Sequence, residues 1–494
     1  MHYPELTAEE AAAYIKNDYV IGIGGFSSVG TPKAVPTALA ARAEAEHAKG
    51  NEFRVGLITG GATGDPIDGA LARAHAVKFR TPFQSHKDMR SAINRQEVQY
   101  FDLNLGHVAQ DLRYGFLGHM DVAIIEASSI SADGDVVPTS SVGISPTICA
   151  VADKIIIELN AHHPEAIRGM HAIYEPLNPP YRKEIPIYRP SDRAGSEGIT
   201  GDPKKVLGVV RTNLPDTIAA VTEPNPVTTK IGQNVAEFLI SELRRGIIPK
   251  EFLPLQSGVG NIANAVLGSL GECQDIPPFT MFTEVIQNSV IPLMENGRIS
   301  FASGSSLTLS DDMLERVYGN LDFFKSKLML RPQEITNHVE LARRLGIIAI
   351  NTALEMDIFG NVNSTNVSGQ KMMNGIGGSA DFARNSFLSI FTCPSVAKGG
   401  VISAIVPMVT HTDSNEHSVK VVATEYGVAD LRGQSPVQKA HAIIENCVHP
   451  DYKEMLWDYL KLAEGKCHTP MTLKKAFAMH IALEETGDMR NAKF

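Results

Sequence analysis

The stretch FLPLQSGVGNIANAVLGSL at residues 252–270 decides the fold class. Its apolar start ends at Gln256, glycines at 258 and 260 predict a tight turn, and the run from about Asn261 predicts a helix. A strand that passes through a glycine turn straight into a helix is the opening unit of a parallel α/β sheet. The next apolar run, Phe279 to Phe282, predicts a second strand and finishes at Thr283-Glu284.

The same rhythm runs through the rest of the chain. Residues 19–23 read as a strand, a glycine-rich turn follows, and residues 32–45 read as a helix. Residues 121–137 are echoed by residues 346–363. Each has an apolar strand, a run of small polar residues, and a hairpin-like turn (Asp133-Gly134-Asp135, Phe359-Gly360-Asn361) closed by a valine. The glycine turn after Ile23 likewise matches the one after Gln256, each followed by an Ala-Val pair, Ala34-Val35 and Ala265-Val266. These echoes predict two similar α/β domains with mostly parallel sheets, 1–222 and 227–494, the second carrying Glu284. The joint falls at Val221-Thr222-Glu223-Pro224-Asn225-Pro226, where two prolines interrupt the pattern. Residues 162–203, rich in proline, arginine and tyrosine, read as a long surface excursion of the first half.

Composition narrows the function classes. With 494 residues, 43% of them hydrophobic, the chain can bury a sizeable core and is neither disordered nor fibrous. Its 45 basic against 55 acidic side chains, a net charge of −10, argue against nucleic acid or an anionic membrane surface as partner. Apolar runs such as 122–125 and 347–350 are far shorter than the roughly 20 residues of a membrane-spanning helix. The five cysteines form no C-x-x-C pair and are odd in number, which predicts reduced thiols in a cytoplasmic protein. Thr7 to Glu10 predicts a helix capping box at the start of the chain.

Several residues are candidates for chemistry. Gly258-x-Gly260-x-x-Ala263 fits a dinucleotide fingerprint, and Glu284 then stands where a ribose-binding acid belongs, so an oxidoreductase is one reading; packing glycines are the other. Glu284 can equally be a covalent nucleophile toward a thioester, or a capping or salt-bridged glutamate. The cluster Asn374-Gly375-Ile376-Gly377-Gly378-Ser379 suits an oxyanion hole or a flexible loop. Lys398 beside Gly399-Gly400 is a phosphate contact or a solvated charge. Asn337, opening Asn-His-Val-Glu340, predicts an N-cap with a reciprocal glutamate. Gly25 to Gly30 has P-loop spacing but is followed by Thr31-Pro32, which excludes a Mg-nucleotide site. His411, Asp413, Glu416 and His417 read as a polar hairpin turn rather than a metal site.

Six segments together carry a resemblance: Gly25 to Lys33, Leu255 to Asn261, Met281 to Gln287, Arg331 to Asn337, Met373 to Asn385 and Val419 to Gly433. Over nearly its whole length the chain resembles the acetyl-CoA hydrolase/transferase family of class I CoA-transferases, nearest to the succinyl-CoA:acetate and propionyl-CoA:succinate CoA-transferases. The resemblance implies CoA exchange between short-chain acids (acetate, propionate, butyrate, succinate) through a glutamyl-CoA thioester on Glu284. It implies an active-site hydrogen bond from Asn337, an oxyanion contact from Gly378, and CoA contacts at Ser257, Gly258, Val259, Gly260, Asn261, Asn374, Gly378 and Lys398. It further implies coenzyme A thioesters and small carboxylates as partners, no metal, no cofactor beyond coenzyme A, and a homodimer. Acetyl-CoA hydrolase is the alternative within the family. A dinucleotide-binding oxidoreductase or a CoA-sensing binding protein are the alternatives outside it.

Overall fold

Eight strands from the first 212 residues form one sheet in the computed structural model, which describes residues 3–218 and 224–494. They are β1 (Val20–Ile23), β2 (Val55–Thr59), β3 (Val77–Thr81), β4 (Gln99–Tyr100), β5 (Val122–Ile130), β6 (Val136–Pro138), β7 (Lys154–Asn160) and β8 (Val206–Thr212). The order is β4-β3-β2-β1-β5-β7-β8, with β6 folded back antiparallel on β5 and every other pairing parallel. The near-continuous burial along β2 and β5 is what a parallel sheet covered on both faces requires.

The chain divides into two compact units that do not follow chain order. The first is Met1–Ala220, Thr280–Leu345 and Asn374–Asp381; the second is Val221–Phe279, Gly346–Met373 and Phe382–Phe494. Against the sequence boundaries 1–222 and 227–494, two later segments therefore pack into the first unit. Val221 to Glu223 of the expected joint lie outside the described residues. Pro226 opens the helix Pro226–Arg244, where Asn225 and Thr228 make a capping box.

In the second unit the strands Leu255–Ser257, Ile348–Thr352, Leu388–Thr392 and Val421–Thr424 lie side by side and parallel, with Gly427–Asp430 antiparallel on the last. The internal echo is visible in this pairing. β1, which enters the Gly24 turn, pairs with β5, which ends in the β6 hairpin. Leu255–Ser257 enters the Gly258 turn and pairs with Ile348–Thr352, which is followed by the hairpin of Glu355–Asp357 and Val362–Asn363. Tyr452, Leu456, Tyr459 and Leu460 from the helix Pro450–Lys461 join Phe391, Val422 and Ile443 in the core of this unit.

Two devices in the first unit prepare the site. After β1, Lys33 is buried with its ammonium 2.6 Å from Glu126 and 3.0 Å from Asp216, while Glu158 of β7 accepts the N–H groups of Lys33, Ala34 and Val35 and so caps the helix Ala34–Ala48. This lysine, three residues beyond the P-loop-like spacing of Gly25 to Gly30, is committed to an internal ion cluster. Beyond β6, the backbone docks on a later segment: Val142 N–H donates to Ser305 O (2.9 Å), Leu307 N–H to Ser140 O (2.8 Å) and Gln333 N–H to Gly143 O (3.0 Å).

The segment 162–203 departs from expectation. Ile167, Met170, His171, Ala172, Ile173, Ile185 and Ile187 are buried in it. Ala172 N–H donates to Leu330 O, and the buried Arg331 guanidinium donates to Ser303 Oγ and to the carbonyls of Pro190 and Asp192. Its few regular elements hid a packed strap whose isoleucines face in.

The Thr7 capping box forms as expected. None of the five cysteines is in a disulfide, and Cys149, Cys393 and Cys447 are buried. No helix among the described residues is long and apolar enough to cross a membrane. Of the two clusters with metal-ligand geometry among the described residues, Glu126 and Asp216 hold the Lys33 ammonium with His163 beside both carboxylates, and Asp65 and Asp88 are bridged by Arg73. Replacing Lys33 with alanine leaves two buried carboxylates uncompensated. Lys33→Ala should lose about 3–5 kcal/mol of stability, read as a lower denaturant midpoint at unchanged slope.

Candidate active site

Glu284 follows the strand Phe279–Phe282, which runs beside Ile299–Gly304, itself paired with Leu328–Leu330. At Thr283 the N–H still donates to Ser303 O (2.9 Å). One residue later the Glu284 carbonyl accepts from Ser305 N–H (2.7 Å), and the chain moves into Val285–Gln287, paired in parallel with Ser306–Thr308. Glu284 thus sits where the chain leaves one sheet for another, its backbone fixed on the segment that the 140–143 loop also grips.

Its side chain meets Asn337. The Asn337 Nδ2 donates to Glu284 Oε1 in a short hydrogen bond and to Asp381 Oδ2 at 3.3 Å. The orientation of the amide follows from its other end, where Oδ1 accepts from the Thr336 hydroxyl at 2.9 Å. Asn337 does not serve as the N-cap the sequence suggested. It closes the short helix Gln333–Thr336, the next helix begins at Val339, and Glu340 pairs with Arg344 instead. The chain bends there, which turns the amide inward to the carboxyl.

Gly378 closes the third side. A Cβ at this position would fall inside the contact radius of both Glu284 Oε1 and Asn337 Nδ2. The backbone of 378 therefore lies directly against the carboxyl, and glycine is required by space. Its N–H has no acceptor among the described residues. The loop that carries it is held firmly, so the flexible-loop alternative fails. Tyr100 OH donates to Asn374 O (2.5 Å), Ile376 N–H to Asp102 Oδ2 (2.8 Å), Leu105 N–H to Gly377 O (3.2 Å) and Gly106 N–H to Asp381 Oδ2 (2.9 Å). Asn374 turns its own Oδ1 onto Gly375 N–H.

Burial governs the electrostatics. It pushes the Glu284 carboxyl up to about 7, with the Asn337 hydrogen bond opposing. Burial pushes Asp381 higher, to about 8; the Gly106 N–H opposes, and the charge of Glu284 adds to the rise. No cation pairs with Glu284 among the described residues, so the salt-bridged reading of this glutamate is set aside, and the carboxyl combines a high proton affinity with one strong donor.

The remaining expected residues belong to the second unit. Ser257 ends its strand and is buried, Gly258 N–H donates to Ile350 O (2.9 Å), Val259 is exposed, and Asn261 starts the helix Asn261–Glu272. Gly260 adopts φ of 111°, a conformation that only glycine holds without strain. Lys398 is exposed on a short turn. Tyr100, Asp102, Gly106 and Asp381 were not singled out from sequence. Only Asp381 lies within a segment that carried the resemblance, and the others approach the 374–381 loop from more than 270 residues away along the chain.

The chain is similar to known proteins along nearly its whole length. The acetyl-CoA hydrolase/transferase N-terminal domain matches residues 1–211, and the C-terminal domain of the same name matches residues 314–460. The chain is 48% identical over 487 residues to a propanoyl-CoA:succinate CoA transferase of Escherichia coli, covering 99% of each chain. It is 47% identical to a succinyl-CoA:acetate CoA-transferase of Clostridium kluyveri, covering 98% of this chain and 90% of that one. An acetyl-CoA hydrolase of Candida glabrata is 42% identical, with coverage of 98% and 94%. Among solved structures, RipA from Yersinia pestis shares the fold with a TM-score of 0.71 at 21% identity, covering 93% of this chain and 97% of that one. With two α/β units of mostly parallel strands and relatives that transfer or hydrolyse acyl-CoA, this chain is an enzyme of the acetyl-CoA hydrolase/transferase family.

Proposed function

We propose that the protein is an acyl-CoA:carboxylate CoA-transferase in which Glu284 is the covalent nucleophile. The observation that carries the reading is the carboxyl of Glu284 held between the Asn337 amide and the bare backbone of Gly378. A carboxylate with a raised proton affinity is a stronger nucleophile than an ordinary one, and an unpaired N–H beside it is a ready donor to a developing oxyanion.

The Glu284 carboxylate attacks the thioester carbonyl, and the C–S bond breaks to release CoA thiolate and an acyl-glutamyl anhydride. The Gly378 N–H stabilises the oxyanion formed on the way. CoA thiolate then attacks the Glu284 carbonyl carbon, freeing the first carboxylate and leaving a glutamyl-CoA thioester. An incoming carboxylate runs both steps in reverse and departs as the new acyl-CoA. Anhydride and thioester both keep the acyl group activated, which a serine ester would not do. Asn337 keeps the reacting oxygen in line, and binding energy along the CoA arm, with Ser257 to Asn261, Asn374 and Lys398 as its contacts, drives the covalent steps.

The names of the relatives support acetate, propionate and succinate among the acids exchanged. Relatives named acetyl-CoA hydrolase support a second reading in which water resolves the same intermediate. These activities favour CoA chemistry over dinucleotide redox chemistry or ligand sensing. The same reading makes the protein a cytoplasmic homodimer that needs no metal and no coenzyme beyond CoA, in keeping with its unpaired cysteines.

Incubation with acyl-CoA followed by borohydride should reduce the glutamyl thioester and inactivate the enzyme, and Glu284→Gln should abolish both turnover and trapping. Full activity after that treatment would sink the covalent mechanism. Gly378→Ala should fold normally by circular dichroism yet lose about a hundredfold to a thousandfold in kcat, because its methyl displaces the carboxyl and the amide. Product analysis separates transferase from hydrolase: new acyl-CoA should appear when acetate or succinate is added, whereas CoA release indifferent to added carboxylate identifies a hydrolase.

A further inference from the structure

Asp381 is buried two hydrogen bonds away from the nucleophile, through the Asn337 amide, yet the exchange chemistry gives it nothing to do. It shares the single NH2 group of Asn337 with Glu284, one hydrogen going to each carboxyl. Three elements present groups to it. The helix Leu105–Arg113 presents the neutral Gly106 N–H, the end of Gln333–Thr336 presents the neutral Asn337 amide, and the segment after Phe279–Phe282 presents the Glu284 carboxyl, the titratable group among them. Two buried carboxyls that share one neutral amide cannot both ionise cheaply, and one of them keeps its proton.

We propose that Asp381 is a positioning residue that works as a neutral acid. It anchors the Asn337 amide and the Gly106 backbone through one oxygen while leaving the negative charge of the pair on Glu284. The inference rests on the reading of Glu284 as nucleophile. The shared amide stands closer to Glu284, in the short bond, than to Asp381 at 3.3 Å, so it favours the charge on Glu284. A proton on Asp381 belongs on Oδ1, because Oδ2 accepts from Gly106 and Asn337. Glu284 Oε1 receives the short bond from the amide, the contact that favours its ionised form. The shifts agree in order, since Glu284 ionises at about 7 and its charge then helps to hold Asp381 protonated to about 8. Above that range a second negative charge appears on the shared amide and pulls it from the nucleophile, so only the state with Glu284 ionised and Asp381 protonated is productive.

The test is the pH dependence of single-turnover acylation, read as borohydride-trapped thioester, in the wild type and in Asp381→Asn. A carboxamide has the shape of a protonated carboxyl, so the variant keeps the acceptor for Gly106 and Asn337 but cannot ionise. The wild type should rise through about pH 7 and fall through about pH 8. Asp381→Asn should keep the rise and lose the fall, reaching a plateau close to the wild-type maximum. Asp381→Ala, which lacks the acceptor, should lose about a hundredfold in kcat at all pH values. A fall that persists in Asp381→Asn overturns the role of Asp381. A wild-type profile with no alkaline fall overturns it too, and that measurement does not depend on any variant folding. Thioester formation by Glu284→Gln would overturn the nucleophile itself, a result distinct from either of these.

Discussion

The absence of a side chain at 378 is the constraint on which the site depends. Glu284, Asn337 and Gly378 come from three different parts of the chain, and they converge so closely that no Cβ fits between them. Such contact requires the backbone of the 374–381 loop to be held as rigidly as a strand. Tyr100, Asp102, Leu105 and Gly106 supply that rigidity through four hydrogen bonds from one side of the first unit. The opposite wall is equally firm. The Glu284 carbonyl is fixed on Ser305, and Ser305 and Leu307 are fixed on the 140–143 loop that leaves the first sheet. A nucleophile held between two rigid walls approaches a bound carbonyl with little reorganisation.

Burial has two consequences here. It raises the proton affinity of Glu284, which suits the proposed nucleophile but brings its titration close to neutrality. It also forces the neighbouring Asp381 to answer that titration. Elsewhere in the same unit, buried charge is handled differently: Lys33 sits between Glu126 and Asp216, and Arg80 pairs with Asp68, both fully inside the protein. The contrast is physical. In those clusters a cation faces the carboxylates, whereas the pair at the site has only a neutral amide between its members.

Much of this was legible in the sequence because it is local. Strand-turn-helix units at 20–48 and 255–272 follow from apolar runs and glycine spacing, and the strands they contain pair as the internal echo suggests. Glu284 was legible as a carboxylate at a strand end. Asn337 was legible only through family resemblance, since Asn-His-Val-Glu has the pattern of a cap, and the bend that turns its amide inward is set by tertiary packing. Asp381 and Tyr100 were not legible, because nothing local in Tyr100-Phe-Asp or Ser-Ala-Asp381 announces a partner hundreds of residues away. The strap at 162–203 misled for a related reason. Proline and arginine density suggests a surface loop, while its burial depends on carbonyls captured by Arg331 and Arg344.

The first unit is assembled from three separated stretches of chain, ending with Asn374–Asp381. A growing polypeptide can complete the eight-stranded sheet early, but it has no active site until residue 381 has been made and the loop around Gly378 has closed on Glu284. Glu284 is made 97 residues before Asp381, so for about a fifth of synthesis its carboxyl exists without the loop that closes on it. No contiguous fragment that stops short of Asp381 carries the chemistry, and a gene split between residues 284 and 374 would have to restore the active site by reassociation of its two products.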